Sequence, residues 1–395
     1  MFTPATSRHF TARRDPESGV LFYVLSTRIA PVQQGFYFVN SGYSDDGRYL
    51  WFYCAFPPSL SRTLAVIDFL TDAIHHFPDT DGGGWAVEGS TGNLWWGTAQ
   101  GIFMRSPHPG DKAIKIADLP KEAIKARAGS AGTHLTFTPD GKEVLLDIQT
   151  GQGSLIGTLS VSTGEFRKWY RTEKGVPYNH AQLCPTNPDL CLCAHEYSYD
   201  AQAGVDVPPP LTEEGFYPRL QLIGRDGSRE MRPPLGNYAT HEWWSADGKS
   251  IFYCNNKGDE DQGGLLVRDR LGDSKPEAVC SIPIPGGVGT WHGHCTADEK
   301  YFVADGSYFS MGRSCWRGCE STVRFYNTET RKLLTVVTLN PVVEGWTPDN
   351  PCPYHIDPHP RFVLNDTLIT FTTTVCGRVD LAVVPVESLV SATRG

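Results

Sequence analysis

The sequence lacks the features that mark several large classes of protein. No apolar run approaches the roughly 18 residues of a membrane-spanning helix, and no Cys-x-x-Cys zinc pattern or Gly-x-Ser-x-Gly elbow is present. Residues 1–17, MFTPATSRHFTARRDPE, have no apolar centre and so do not resemble a secretory signal. These absences predict a protein that does not act in a membrane and is cytoplasmic unless a leader has been removed.

Positive charge is also scarce. Lys and Arg number 35 against 44 Asp and Glu, which gives a formal net charge of −9. This balance excludes nucleic acid as the expected partner, because binding to phosphates needs a basic surface. An anionic substrate would gain nothing from the overall field and must be held by local arginine, histidine or a metal ion.

Helix-periodic stretches are few, whereas the chain has 40 Gly, 29 Pro and 11% aromatic residues, which favours β structure.

The 11 cysteines are an odd number and show no regular disulfide spacing. Cys191 and Cys193 alternate along a strand-like run and are expected to be small buried residues. Cys315 and Cys319 flank WRG and either pair or remain free thiols.

A turn followed by a strand recurs along the chain. SDDGRYLWFYC (44–54), TPDGKEVLLDI (138–148) and SADGKSIFYC (245–254) are close copies. Looser copies lie at 90–98, 186–195, 296–306 and 364–374, which makes seven. Further strand-like runs follow most turns, so each unit is a small antiparallel meander, spaced close to the ~40–50 residues of propeller blades.

Seven meanders predict an all-β, seven-bladed β-propeller that spans residues 1–395 as one domain. The last copy has room for about three strands. The early run GVLFYVLST (19–27) can supply the missing strand and close the ring, which leaves residues 1–18 as a short extension. A two-sheet sandwich is the alternative, although its period would be shorter and less regular.

Histidines share one phase of this repeat. Seven residues before the turn glycine, or before the residue aligned with it, the first two copies have Asn40 and Trp85. This position begins the innermost strand, so its residues should converge at one mouth of the central channel. In the other five copies it holds a histidine: His134, His180, His241, His292 and His359.

The last two copies hold the densest set of metal-type ligands. Imidazoles from several strands suit a divalent metal, and a carboxylate would also admit Mn²⁺ or Ca²⁺. Residues two apart on an extended strand face the same side, so we expect the first two histidines of this set to point the same way. The set is His292, His294, His355, Asp357 and His359.

Four motifs resemble the oligogalacturonate lyase group of polysaccharide lyases, which are seven-bladed propellers. They are NHAQLCPTNPD (179–189), THEWWSADGK (240–249), HGHCTAD (292–298) and DPHPRF (357–362). The resemblance implies that His241 is the base, that Arg219 assists it, and that His292 and His359 bind metal. The family motif has HPHP preceded by glutamine, whereas this chain has Asp357 for the first histidine and Tyr354 for the glutamine, with His355 as a compensating ligand.

A second resemblance, to propeller rhamnose–glucuronate lyases and rhamnosidases, rests on residues 35–58, 354–366 and 379–387. It implies that the substrate is a terminal rhamnose α-1,4-linked to glucuronate, as in gum arabic-type side chains. Oligogalacturonate is the alternative substrate. Either way the partner is a uronic acid-containing saccharide, and the protein is expected to be a monomer.

Cleavage of a 4-linked uronide by β-elimination needs a base for the C5 proton, stabilisation of the carboxylate charge and help for the leaving oxygen. His241 is the base candidate, with His180 or His134 as a replacement or carboxylate ligand. Arg219 can pair bidentately with the carboxylate, and Tyr217 is the proton donor candidate. The remaining substrate-binding candidates are aromatic platforms for a sugar ring: Trp243, Trp244 and Trp291.

Two other functions compete with the lyase. A glycoside hydrolase would need paired carboxylates, whereas the in-phase positions are mostly histidine. A non-catalytic binding propeller would need no ring of histidines. The histidine phase therefore favours an enzyme, although fold alone does not determine function.

Overall fold

A hydroxyl and a carboxylate build the repeated turn. In four copies a Ser or Thr Oγ donates to the Asp two residues later at 2.7 Å. Gly47, Gly141 and Gly248 then take φ values between +68° and +71°, the left-handed region that favours glycine. In two looser copies Glu299 and Asp366 adopt that conformation instead. The repeat identified in the sequence is therefore a repeat of backbone geometry.

The computed structural model describes residues 1–125, 131–200, 205–255, 264–282, 290–307, 320–346 and 352–394. The chain is a seven-bladed β-propeller, as the repeat predicts, and the sandwich alternative is wrong. Each blade is an antiparallel meander whose first strand lies nearest the axis. No helix in the described ranges is long and apolar enough to span a membrane.

The secondary structure follows the blades in chain order. Two helices accompany the sheets, α1 (Lys121–Lys125) and α2 (Val386–Thr393). The N-terminal strands are β1 (Phe10–Arg14) and β2 (Leu21–Leu25). Blade one has β3 (Val32–Gln34), β4 (Tyr49–Ala55), β5 (Arg62–Asp68) and β6 (Ala73–Phe77), and blade two has β7 (Gly83–Val87), β8 (Leu94–Thr98), β9 (Gly101–Arg105) and β10 (Ile114–Ala117). Blade three has β11 (Thr136–Phe137), β12 (Glu143–Thr150), β13 (Gly153–Ser160) and β14 (Phe166–Arg171). Blade four has β15 (Tyr178–Leu183), β16 (Leu190–His195), β19 (Leu220–Gly224) and β20 (Arg229–Arg232), with the separate hairpin of β17 (Ser198–Asp200) and β18 (Val205–Val207) between its second and third strands.

Blade five has β21 (Thr240–Trp244), β22 (Ser250–Asn255), β23 (Leu265–Arg270) and β24 (Glu277–Ser281). Blade six has β25 (Thr290–Cys295), β26 (Tyr301–Ser307), β27 (Ser321–Asn327) and β28 (Lys332–Asn340). Blade seven has β29 (Arg361–Val363), β30 (Leu368–Thr373) and β31 (Asp380–Pro385).

The N-terminal segment closes the ring. Blade seven has the order β1-β2-β31-β30-β29, so the predicted closing strand is present as β2, which pairs Tyr23 with Val383 and Val24 with Ala382. The stretch expected to be a plain extension contains β1, whose five residues all pair with β2. The extension is therefore partly the fifth and outermost strand of this blade.

Apolar side chains pack mainly between neighbouring blades. Trp243, Phe252 and Phe302 are almost fully buried and form one cluster that joins blades five and six. In the described ranges nine cysteines are free thiols, and Cys191 and Cys193 are fully buried, as predicted. Cys315 and Cys319 lie outside the described residues. The packed blades give the channel-lining strands a rigid support.

Candidate active site

The inner strands are distorted where they carry the in-phase histidines. His180, His241 and His359 have φ values of +51°, +53° and +46°, a region that non-glycine residues rarely adopt. In blades four, five and six the register of the inner strand shifts across the histidine. Such strain persists only where the surrounding structure holds it, and it is concentrated at functional sites.

The five in-phase histidines come together at one mouth of the channel. The ring centroids of His134 and His180 lie 5.1 Å apart. His292 lies 4.2 Å from His241 and 4.3 Å from His359. The histidines that share one phase of the repeat therefore form a cluster, contributed by blades three to seven.

Two aromatic residues that the sequence analysis missed fill the centre of the channel. Tyr37 stacks on His134 at 4.7 Å and meets His359 edge-on at 4.7 Å. The ring centroid of Phe38 lies 5.4 Å from that of His292, and the Phe38 carbonyl accepts a hydrogen bond from Arg361 at 2.7 Å. Both lie in the segment after β3, three and two residues before the in-phase Asn40, so the phase argument gave no signal for them.

A cavity of about 530 Å³ opens on the histidine side of this aromatic plug. That volume lies within the range of small-molecule sites. His241 and His292 are not among the described residues that line this cavity. The lining residues include Tyr37, Arg62, Asp81, His134, His180, His355 and His359.

Four residues of blades six and seven form a potential metal site. Their donor atoms all lie within 4.8 Å of one another. The Oδ2 atom of Asp357 is 2.7 Å from His355 Nε2 and 3.5 Å from His359 Nε2. Nε2 of His292 and both ring nitrogens of His359 are buried and have no hydrogen-bond partner among the described residues. We call this set, His292, His355, Asp357 and His359, the four-residue group.

The chemistry of the four-residue group fits a transition-metal dication. Three imidazoles and one carboxylate suit Mn²⁺ or a similar ion, whereas Ca²⁺ takes mainly oxygen ligands. Of the two ions that the sequence suggested, the donor set thus favours Mn²⁺. The buried nitrogens without partners are polar groups that an ion would satisfy.

Asp305, which the sequence analysis also missed, orients the four-residue group. Its carboxylate lies 3.0 Å from Nδ1 of His292 and accepts the backbone N–H groups of His292 and His359, both at 2.9 Å. This contact places the proton of His292 on Nδ1 and leaves Nε2 as the ligand atom. A carboxylate behind a histidine is the usual support of a metal ligand.

His294 does not join the four-residue group, although it was predicted to do so. It lines the cavity at the opposite mouth of the channel, where its ring lies 6.4 Å from that of Trp243. The register of β25 shifts between Thr290 and Gly293, and Phe38 packs against His292 rather than His294. Two residues of separation along this strand therefore place the two histidines at different depths of the channel.

Arg219 lies beside the histidines, but carboxylates already occupy its guanidinium. Nε donates to Glu242 at 2.8 Å, and Nη1 donates to Glu196. Burial disfavours the charge, yet Glu242 and Glu196 outweigh it and hold the pKa of Arg219 well above its usual value. The predicted bidentate pairing with a substrate would have to displace these contacts, so Arg219 is placed to position Glu196 and Glu242, of which Glu196 lies 3.7 Å from His180.

Burial determines the protonation of the base candidates. It lowers the pKa of His241 well below its usual value, and the neighbouring His292 and Arg219 add to the effect. Burial also lowers the pKa of His180, against the opposing effect of Glu196, whose carboxylate is 3.7 Å from Nδ1. Both imidazoles are therefore neutral near pH 7 and can accept a proton.

The tryptophan candidates fall on different sides of the channel. Trp243 stacks on Phe252 at 5.3 Å and Trp244 donates to the Gln182 carbonyl at 3.1 Å, and both line the opposite mouth. These packing roles remove them from the histidine cavity. Trp291 lies 6.2 Å from His241, nearly perpendicular to it, and is the candidate that remains beside the histidines.

Two tyrosines are also placed. Tyr217 is half-buried with its ring 6.2 Å from Tyr238, and it does not line the histidine cavity. Tyr354, which stands where the related motif has a ligand glutamine, turns away and donates its hydroxyl to the Ser59 carbonyl. His355 takes a place in the four-residue group instead, as the sequence analysis suggested.

The comparisons with known proteins agree with the fold. No protein-family model and no curated protein matches the chain. An oligogalacturonate lyase solved in complex with manganese is 16% identical, with a TM-score of 0.71 over 95% of this chain and 96% of the other. An oligogalacturonate lyase from Vibrio parahaemolyticus is 15% identical, with a TM-score of 0.72 and the same coverage. Hydrazine synthase from Kuenenia stuttgartiensis is 11% identical, with a TM-score of 0.51 over 90% of this chain and 96% of that one. At these identities the likeness is one of fold: the chain is a seven-bladed β-propeller similar to oligogalacturonate lyases.

Proposed function

We propose that this protein is a lyase that cleaves a 4-linked uronic acid glycoside by β-elimination. The observation that carries the proposal is the convergence in one place of a metal-type group and a neutral histidine base. The four-residue group has donors within 4.8 Å of one another, and the ring of His241 lies 4.2 Å from that of His292. The shared fold with oligogalacturonate lyases supports the same class of reaction.

The four-residue group would hold a divalent cation such as Mn²⁺, and Asp305 would keep His292 in the correct tautomer. When bound, this ion would polarise the uronate carboxylate and so favour loss of the adjacent proton. The structurally similar oligogalacturonate lyase in complex with manganese supports this choice of ion.

His241 takes the C5 proton in this proposal. C5 is bonded directly to the carboxylate carbon, so the base must stand next to the residues that receive the carboxylate. His241 contacts His292, whereas His180 lies further away, against His134 and Tyr37. His180 is therefore assigned to the cavity wall, where it can contact the sugar.

Two residues near the base candidates, Glu196 and Tyr37, have fixed protonation states near pH 7. Burial would raise the pKa of Glu196, but Arg219 and His180 hold it at about 2, so its carboxylate stays ionised. Tyr37 lies in the cavity, and burial together with the Glu242 charge raises its pKa well above the usual value. A phenol that keeps its proton is suited to donate a hydrogen bond to a departing glycosidic oxygen, a role for which Tyr217 is the more distant candidate.

The leaving sugar has two candidates. One is terminal L-rhamnose released from rhamnosyl-α-1,4-glucuronate ends, which the resemblance of residues 35–58, 354–366 and 379–387 favours. The other is galacturonate from oligogalacturonate, which the similar solved structures favour.

An assay on both substrates tests the proposal. The purified protein with Mn²⁺ is expected to produce the ultraviolet absorbance of a 4,5-unsaturated uronide, and chelation should abolish it. His241→Gln should lower turnover by about 10²- to 10⁴-fold, whereas the exposed control His108→Gln should not. Release of rhamnose without absorbance would mean hydrolysis, and inactivity on both substrates would leave a binding propeller.

A further inference from the structure

The histidine cavity contains one arginine, Arg62, that forms no ion pair within 4.0 Å with a described carboxylate, although Asp81 also lines the cavity. Arg62 begins β5 and lines the cavity together with His355 and His359. It is the only lysine or arginine among the described residues that line it. Within the described ranges no Asp or Glu oxygen lies within 4.0 Å of its nitrogens, in contrast to Arg219 between its two glutamates.

Aromatic rings hold the Arg62 guanidinium in place. It lies 4.7 Å from the ring of Tyr53 and 5.5 Å from the ring of Trp85, and Nη1 is 3.5 Å from Gln34 Oε1. Trp85 is fixed in turn, because its Nε1 donates to the Thr80 carbonyl at 3.0 Å. A stacked guanidinium loses little conformational freedom when it binds, and its planar fork matches a carboxylate.

The position of Trp85 in the repeat links this platform to the histidine cluster. It occupies in blade two the phase that histidine occupies in blades three to seven. The backbone carbonyl of Trp85 accepts a hydrogen bond from Asn40, the in-phase residue of blade one, at 2.8 Å. Blades one and two thus present an arginine on aromatic rings at the mouth where the later blades present imidazoles.

We propose that Arg62 binds a second carboxylate of the substrate, separate from the one received by the four-residue group. This inference rests on the proposed function and narrows its substrate class to oligouronides, in which neighbouring residues both carry carboxylates. A rhamnosyl-glucuronate end has a single carboxylate and would leave Arg62 without a substrate carboxylate to bind. Arg62 is then a specificity-determining residue of the site.

Binding of defined uronides tests the inference without turnover. In a His241→Gln background with Mn²⁺, calorimetry would compare galacturonate with digalacturonate. Adding Arg62→Gln should weaken digalacturonate binding by roughly 10- to 100-fold, the range of a charge-assisted hydrogen-bonded pair. Galacturonate binding should change by less than about threefold, which also shows that the variant is folded. The affinity of Arg62→Lys for digalacturonate should lie between that of the parent protein and that of Arg62→Gln.

A second stacked arginine provides the matched control. Arg225 lies 4.8 Å from the ring of Trp169, outside the cavity, so Arg225→Gln should not alter the binding of either saccharide. Equal losses for both saccharides in Arg62→Gln, or no loss for either, would overturn the inference while the proposed lyase stands. Failure of the parent protein to bind either saccharide would overturn the proposed function and the inference with it.

Discussion

Blades three and six carry an aspartate at the same place in the repeat but use it differently. Asp147 and Asp305 each lie six residues after the aligned turn residue, on the second strand. Asp147 accepts the backbone N–H of Thr133 at 2.6 Å and that of Ala181 in the next blade at 3.3 Å. Asp305 likewise joins blades six and seven through backbone N–H groups, but it also lies 3.0 Å from the His292 imidazole.

The comparison shows how a structural position becomes part of a site. Both carboxylates hold two inner strands at a fixed separation, which any propeller needs. In blade three the nearby His134 stacks on Tyr37, and Asp147 bonds to the Thr133 side chain and to the backbone N–H groups of Thr133 and Ala181 instead of to an imidazole. In blade six the rotamer of His292 directs Nδ1 at Asp305. The carboxylate that joins the two strands therefore also orients a metal-ligand candidate.

The largest expected effect distinguishes two of the five in-phase histidines, His359 and His134. His359→Gln removes a member of the four-residue group and should weaken Mn²⁺ binding by more than about 100-fold, beyond the loss seen when only a supporting residue is changed. His134→Gln changes a buried histidine of the same phase and should leave Mn²⁺ affinity within about twofold. Titration calorimetry with Mn²⁺ measures both, and equal losses would refute the assignment of the ligands.

A smaller effect is expected from the aspartates themselves. Asp305→Asn keeps an oxygen for the backbone but weakens the support of His292, so Mn²⁺ affinity should fall by about 10- to 100-fold. Asp147→Asn is the matched control and should change Mn²⁺ affinity by less than about threefold. If Asp147→Asn weakened Mn²⁺ binding as much as Asp305→Asn, the loss would reflect damage to the contact between neighbouring inner strands rather than to the orientation of His292.

The smallest effect concerns Asp147 and the pH dependence of stability. Burial raises its pKa from 3.8 to about 7, so the folded protein holds a proton that the unfolded chain has released between these values. The stabilisation from this group is fully present below about pH 4 and is lost as the pH rises through about 7. Asp147→Asn removes that loss.

Chemical denaturation at about pH 5 and about pH 8 would measure this pH-dependent contribution of Asp147 to stability. The free energy of unfolding of Asp147→Asn relative to the wild type should improve between these pH values, by on the order of 1 kcal/mol or more. A constant difference between the two proteins would show that Asp147 does not titrate in this window.

The residues missed by sequence reasoning divide into two kinds. Asp305 could have been found, because counting forward from the turn reaches an aspartate in the third and sixth copies alike. Tyr37, Phe38 and Arg62 could not have been found in this way, because they lie outside the repeat position that the in-phase histidines share. Tyr37 and Phe38 belong to the segment after β3, and Arg62 begins β5, the third strand of blade one. No periodicity places these residues beside the histidines.

The sequence by itself determined the seven blades, the closing strand and the convergence of five histidines. Each follows from a local rule: an Asp-Gly turn, alternating strands and a constant offset from the turn bring equivalent residues to one mouth. Tertiary structure alone decided which of those side chains meet. A shift of register separates His294 from His292, the glutamates Glu196 and Glu242 pair with Arg219, and aromatic rings hold Arg62 in the cavity. These outcomes depend on packing and charge between blades, which no single repeat encodes.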